Sequence, residues 1–132
     1  MSIRDNLELI HEEIARAEAL AGRPAGSVTL VAVSKFHPWQ AVCEAAEAGV
    51  QFFGESRVQE AKLKIPQCPP ALHWHLVGHL QSNKCRDAVG LFEMIQSVDS
   101  WSLAERLNNA AEKRGSSLPI LLEVNVAGEA SK

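Results

Sequence analysis

Short apolar runs alternate with helix-length amphipathic segments along the whole chain, each run beginning roughly 20 to 25 residues after the last, the rhythm of βα units in a parallel sheet. Residues 28–33 form a continuous β-branched run, too short for a helix and typical of a strand buried on both faces. Further strands are expected at 50–53, 72–77, 92–98 and 119–126. Between them the spacing turns helical. Ile3, Leu7, Ile10, Ile14 and Ala17 recur at intervals of four and three behind a Ser2–Asp5 capping box. Pro38 fits the first turn of a second helix carrying Val42, Ala45 and Ala46, and Gly49 supplies its C-terminal cap. Ser56 and Gln59 stand at capping-box spacing before a third helix, Ser82 to Val89 reads as a short fourth ended by Gly90, and Ser100 caps a fifth carrying Leu103, Leu107 and Ala111.

Parallel strands joined by helices build either an open doubly wound sheet or a closed eight-stranded barrel. No G-x-G-x-x-G follows the first strand, and polar residues end every strand: Ser34-Lys35, Glu55-Ser56, Gly78-His79, Ser97 with Asp99, and Asn125. Barrel enzymes gather their chemistry at that rim, so the expected fold class is α/β, a (β/α) TIM-type barrel. A complete barrel takes about 250 residues, and five strands do not close one. The expectation is therefore that 1–132 is the N-terminal part of a single barrel domain, truncated after about five strands, with an exposed last strand that recruits the missing C-terminal barrel half or a second copy of the chain.

Bulk properties narrow the function classes. At 132 residues and 46% hydrophobic the chain can bury one core, and a formal charge of −3 offers no field for nucleic acid or an anionic membrane. No apolar run approaches a membrane span and the start lacks the pattern of a secretory signal, so a cytoplasmic location is expected. The three cysteines, Cys43, Cys68 and Cys85, are widely spaced and signal neither a disulfide framework nor a zinc knuckle.

Lys35 is the sharpest chemical feature. A lysine directly after a buried strand is expected to keep its stem away from water, a setting that favours the neutral, nucleophilic amine and Schiff-base chemistry. A solvated loop lysine is the plain alternative. His73, His75 and His79 fall at even spacing around the third strand and resemble an HxH metal site, which opens the reading of a metal-dependent hydrolase using His73 and His75; packed or cofactor-lining histidines are the competing reading. No second ligand cluster accompanies them, so no metal is assigned. Trp39, Trp74 and Trp101 read as packing residues.

Several segments then match one family in order and over nearly the whole chain. They are Leu30-Val31-Ala32-Val33-Ser34-Lys35, Phe53-Gly54-Glu55-Ser56-Arg57-Val58-Gln59-Glu60, Trp74-His75-Leu76-Val77-Gly78-His79-Leu80-Gln81-Ser82-Asn83-Lys84, Ser97-Val98-Asp99-Ser100, and Glu123-Val124-Asn125-Val126 with Glu129 and Lys132. Together they resemble the pyridoxal phosphate homeostasis proteins, also described as proline synthetase co-transcribed homologues. The resemblance implies a barrel like the N-terminal domain of alanine racemases, binding pyridoxal 5'-phosphate as an aldimine on Lys35. It implies Lys35 as the catalytic residue and Ser56, His75, Ser97 and Asn125 as further cofactor-binding residues. The implied role is control of free cofactor and of amino-acid and keto-acid balance, without robust catalysis; a racemase-like enzyme is the alternative. The family usually carries Asn where this chain has Ser56, and its phosphate-binding groups lie in later loops, beyond residue 132.

Overall fold

The capping box expected at the N-terminus forms. The Ser2 hydroxyl accepts from the Asp5 N–H at 3.1 Å and the Asp5 carboxylate accepts from the Ser2 N–H at 3.1 Å, opening helix α1 (Ile3–Leu20). The computed structural model describes residues 1–130. After α1 come β1 (Val31–Val33), α2 (Trp39–Glu47), β2 (Phe52–Glu55), α3 (Val58–Lys64), β3 (His73–Leu76), α4 (Cys85–Leu91), β4 (Met94–Val98), α5 (Trp101–Lys113) and β5 (Ile120–Leu122). The strands pair in parallel in the order β1-β2-β3-β4-β5. A doubly wound sheet reverses its strand order at a switch point, whereas a barrel wall is laid strand by strand in sequence order. This sheet is the second kind, an open five-stranded arc of a (β/α) barrel.

Alternation along each strand gives the sheet two unlike faces. Phe53 and Glu55 of β2, Trp74 and Leu76 of β3, and Ile95 and Ser97 of β4 are buried in the layer that also holds Val42 of α2, Ala61 of α3, Ala88 of α4 and Leu103 and Leu107 of α5. The opposite, inner face carries Val31 and Val33, which flank Gly54, and then Phe52, His75, Met94 and Gln96. This face is less covered. Val33 is 49% exposed against 1% for Phe53. Beyond β4 the cover ends on both faces, and all three residues of β5 are exposed.

Several boundaries differ from the sequence expectation, each for a hydrogen-bonding reason. The first strand starts at Val31 instead of residue 28, because the Gly26 and Val28 N–H groups donate to the Glu18 carboxylate at 3.2 and 2.9 Å and not to a strand. Glu18 thereby fastens the end of α1 to the approach to β1. The second strand starts later than residue 50, since the Val50 N–H still bonds the Ala45 carbonyl of α2 at 3.1 Å. Gly49 does adopt the positive φ of +105° expected of a C-terminal cap, while Pro38 sits at the N-cap position and not inside the first turn.

The Ser56–Gln59 capping box does not form. β2 runs on through Glu55, so α3 begins only at Val58 with Arg57 at its N-cap and no side-chain cap. The segment expected to be one helix from Ser82 is a 3₁₀ turn (Ser82–Lys84) followed by α4, which passes through Gly90 to Leu91. β5 is shorter than 119–126, although Ile95 N–H to Pro119 O at 3.2 Å and Glu123 N–H to Val98 O at 2.8 Å extend its pairing by a residue at each end. Trp74 packs as expected at 5% exposure, but Trp101 is 78% exposed and donates its indole N–H to Glu105.

Gly78, just after β3, is the glycine with the least room for a side chain. A Cβ there would lie 2.4 Å from the Ser56 carbonyl oxygen, whereas one at Gly54 would meet only valine side chains at 3.2 Å or more. Gly78→Ala should therefore lower the unfolding free energy by about 1–3 kcal/mol through overpacking. Gly54→Ala should cost less, because half-exposed Val33 can turn aside. Denaturant unfolding of the two variants measures the order, and a costlier Gly54→Ala would contradict this packing.

Candidate functional site

A lysine is indeed buried beneath the end of β1, but it is Lys64 of α3. Lys35 itself is exposed in the turn after β1, so the dry setting expected around its stem is not found. Lys64 is 6% exposed, and its three ammonium N–H groups meet three acceptors: the Ser34 carbonyl at 2.9 Å, Glu55 Oε2 at 3.0 Å and Glu60 Oε1 at 3.0 Å. Glu55, at the end of β2, has no exposed surface; its Oε2 also accepts the Ser34 hydroxyl at 2.5 Å, and its Oε1 is without a hydrogen-bond partner. Glu60 Oε1 in turn accepts the Phe36 N–H at 2.8 Å. The residues on both sides of Lys35 are thus tied to one buried cluster.

Phe36 shows what that tie enforces. Its φ is +66°, in the left-handed region that an aromatic residue rarely adopts. The Arg57 guanidinium lies 5.6 Å from the Phe36 ring centroid, adding a cation–π contact to the Glu60 hydrogen bond. Burial works against the charge of Lys64, but the hydrogen bonds and charges of Glu55 and Glu60 outweigh it and hold its pKa above the ordinary value. Burial likewise opposes ionisation of Glu60; Lys64, the Phe36 N–H and Arg57 outweigh it and hold that carboxyl below its usual range. Glu60 and Lys64 stand at i,i+4 spacing, a pairing visible in a helical reading. Contacts nine and thirty residues apart, to Glu55 and Ser34, carry no such signal.

Two of the other expected residues converge. The Ser97 hydroxyl donates to the Gly78 carbonyl at 2.6 Å, and Gly78 packs against Ser56. A cleft of about 600 Å³ opens beside them, lined by Ser56, Arg57, Gln59, Gly78, His79 and Lys84. His75 lies deeper, at mid-sheet between Gly54 and Met94, with the Phe52 ring 5.8 Å away and edge-on. The Gln96 amide donates to His75 Nδ1 at 2.9 Å, which leaves the ring proton on Nε2. Burial holds the His75 pKa below its ordinary 6.5, so the ring is neutral at pH 7.

Asn125 stands apart from these. It lies beyond the edge strand β5, joined to the Glu129 backbone by bonds of 2.7 and 3.0 Å, while Lys35 follows the opposite edge strand β1. Lys132 lies outside the described residues. The histidines do not assemble a metal centre. His73 pairs with Glu93 at 2.7 Å and stacks on Phe52 at 4.6 Å, and among the described residues no group of three or more histidine, cysteine or acidic side chains comes together.

Lys64→Met should leave the Glu55 carboxylate buried without its counter-charge and lower the unfolding free energy by about 3–5 kcal/mol. The double variant Glu55→Leu/Lys64→Met should lose less than Lys64→Met alone. Equal or additive losses in denaturant titrations would rule out the pairing. A second expectation concerns acid. The folded pKa of Glu60 lies below 4.5, so its contribution is complete above pH 4.5 and is lost as pH falls through the folded value. Thermal stability should drop more steeply below pH 4.5 in the parent chain than in Glu60→Gln; parallel pH profiles would count against it.

Comparisons with known proteins bear on the family and the fold. The family model for the alanine racemase N-terminal domain matches residues 6–129. The chain is 41% identical over 138 residues to a pyridoxal phosphate homeostasis protein of Vibrio cholerae, covering 99% of this chain and 58% of that one. A protein of the same name from Pseudomonas aeruginosa is also 41% identical, with 99% of this chain and 57% of that one covered. Among solved structures, PipY of Synechococcus elongatus with PLP bound superposes with a TM-score of 0.78 at 49% identity, over 87% of this chain and 55% of that chain. A protein of Bifidobacterium adolescentis reaches a TM-score of 0.90 at 38% identity, over 98% of this chain and 57% of that chain. The chain spans a little over half the length of these relatives. By sequence and by fold, it belongs to the alanine racemase N-terminal domain family.

Proposed function

We propose that this chain carries the cofactor-attaching lysine of a pyridoxal 5'-phosphate site, with Lys35 Nζ as the point of attachment, and that its role is homeostasis of the cofactor and of amino and keto acids. One observation carries the reading. An exposed lysine stands on a turn that a buried, hydrogen-bonded cluster and a left-handed Phe36 hold in one conformation. A surface lysine without a role needs no such support. Among the described residues Lys35 has no ion pair, so its amine is not committed to a carboxylate. That donor chemistry fits an aldehyde-bearing cofactor. Pyridoxal phosphate, when bound, supplies an electrophilic aldehyde carbon and a dianionic phosphate.

The chain's own residues then divide the work. Lys35 provides the amine, and Ser34 and Phe36 fix its direction through Glu55, Lys64 and Glu60. Ser56 is proposed to contact the cofactor from the cleft beside Gly78, and His75 to border it from below as a neutral group. Ser97, at 1% exposure, acts by holding the Gly78 carbonyl. Asn125 joins the site from the far edge. That last contact requires a closed wall, so the uncovered β5 edge is proposed to pair either with further barrel strands or with a second copy of the chain. The relatives named for pyridoxal phosphate homeostasis, and the PLP-bound PipY structure, support the assignment. A carrier or regulator is the proposed class, in the cytoplasm; no helix among the described residues is long and apolar enough to cross a membrane.

Borohydride treatment in the presence of pyridoxal phosphate, followed by peptide mapping, should place the reduced cofactor on Lys35, and Lys35→Ala should remove at least nine-tenths of the label. Label distributed over other lysines, or centred on Lys84 of the neighbouring cleft, would overturn the assignment.

A further inference from the structure

Away from the strand ends, on the helical side of the fold, four cationic side chains converge without a carboxylate among them. Ser82, Asn83, Arg86, Arg106, Lys113 and Arg114 line a cleft of about 570 Å³ between α4 and α5. Lys113 at the end of α5 and Arg114 at its C-cap follow Arg106 by seven and eight residues, which puts them on the same helical face as Arg106. Arg86 meets them from α4. The floor contains Cys85, 4% exposed, whose thiol burial pushes to higher pKa, so it brings no negative charge at neutral pH.

The sequence makes room for this convergence at a cost. Gly90 lies in the last turn of α4, where glycine lowers helix stability by about 1 kcal/mol relative to alanine. The Arg114 guanidinium occupies the space a side chain would take, its Nη1 3.2 Å from the position of a Cβ on Gly90. The nearby acids are engaged elsewhere or point away. Asp87 pairs with Lys62 at 3.4 Å, Glu105 accepts the Trp101 indole, and Glu112 does not line the cleft. No ion pair among the described residues involves any of the four cations. In a chain with 13 basic and 16 acidic residues, four uncompensated cations in one concavity repel one another unless an anion joins them.

We propose that this cleft is a binding site for a phosphorylated small molecule bearing at least two phosphate charges, separate from the Lys35 site. Guanidinium groups match phosphate oxygens two N–H groups at a time, and three arginines on two helices clamp a polyanion from both sides. Ser82 and Asn83 add neutral donors at the mouth. The volume falls within the roughly 300–1,000 Å³ of small-molecule sites. An extended nucleic acid is the less suitable occupant, because the four cations line one concavity and not a stripe, and the chain as a whole is acidic.

The test is isothermal titration of the full chain with inorganic pyrophosphate at constant ionic strength, with sulfate and chloride as comparison anions. Saturable one-site binding is expected, at least tenfold tighter than for sulfate. Arg106→Gln/Arg114→Gln should weaken it by at least 100-fold and Arg86→Gln, on the other helix, by about tenfold, taking roughly tenfold per lost charge-assisted contact. Lys35→Ala should leave it unchanged. These arginines are exposed, and unaltered far-UV circular dichroism and melting of the variants would confirm intact folding; the Arg86→Gln arm stands alone if the double variant does not fold. Absence of saturable binding, binding insensitive to the arginine substitutions, loss of binding in Lys35→Ala, or tighter binding of a single-stranded oligonucleotide than of pyrophosphate would each refute the proposal.

Discussion

The ion pair between Glu55 and Lys64 is the interaction on which the rim of this sheet depends. Removing two charges from water costs several kcal/mol per ion, and the pair offsets that only when the remaining hydrogen-bonding capacity is satisfied. Here the ammonium group meets three acceptors at 2.9 to 3.0 Å, drawn from the end of β1, the end of β2 and the first turn of α3. Satisfying all three at once fixes how those three elements sit together. Apolar packing around Phe53, Leu76 and Ile95 drives collapse of the helical side, but it is tolerant of small shifts. The buried charges are not, which is why the turn carrying Lys35 is specified by a residue nearly thirty positions away.

The same sheet presents two different solvents to its residues. On the helical side Glu55, Ser97 and Leu76 lie at no more than 1% exposure, so polar groups there depend on partners within the fold, which the Ser97 hydroxyl and Glu55 Oε2 have and Glu55 Oε1 lacks. The inner side is open enough for Val33 to remain half-exposed, and its ordered features are side-chain pairs across strands: Phe52 on His73, Phe52 against His75, and Gln96 on His75. This division explains how expected site residues can have unlike fates. Ser97 is polar but faces the helices and acts through the Gly78 carbonyl, whereas His75 lies on the inner side, 8% exposed and bonded to Gln96. Parity along a strand, more than residue type, decides which polar group can meet a ligand.

Charge follows the same logic of place over total. A formal charge of −3 describes a chain that should not attract anions. Yet Asp87, Glu55 and Glu60 are taken up in pairs with Lys62 and Lys64, while four cations that form no ion pair among the described residues line one cleft. Local potential in a concave site depends on the groups that line it and on the low-dielectric wall behind them. Net charge averages that information away.

Much of the fold was legible in the sequence, because strands and helices follow from periodicities of two and 3.6 that are local along the chain. The βα rhythm, the Ser2 and Ser100 caps, the polar strand ends and the open five-strand arc could all be read that way, and Lys35 was singled out by its place after a strand. The errors have one origin. Glu18 taking the N–H groups before β1, β2 running on through Glu55, Arg114 lying over Gly90, and Lys64 filling the buried place expected of Lys35 are all set by contacts between residues distant in sequence or outside any repeating pattern. By itself the sequence determined the order and type of the elements and which residues carry reactive groups, since those depend on side-chain chemistry and near neighbours. Only the tertiary structure decided which lysine is dry and which is presented to solvent, because desolvation and ion pairing are properties of three-dimensional surroundings that local spacing does not encode.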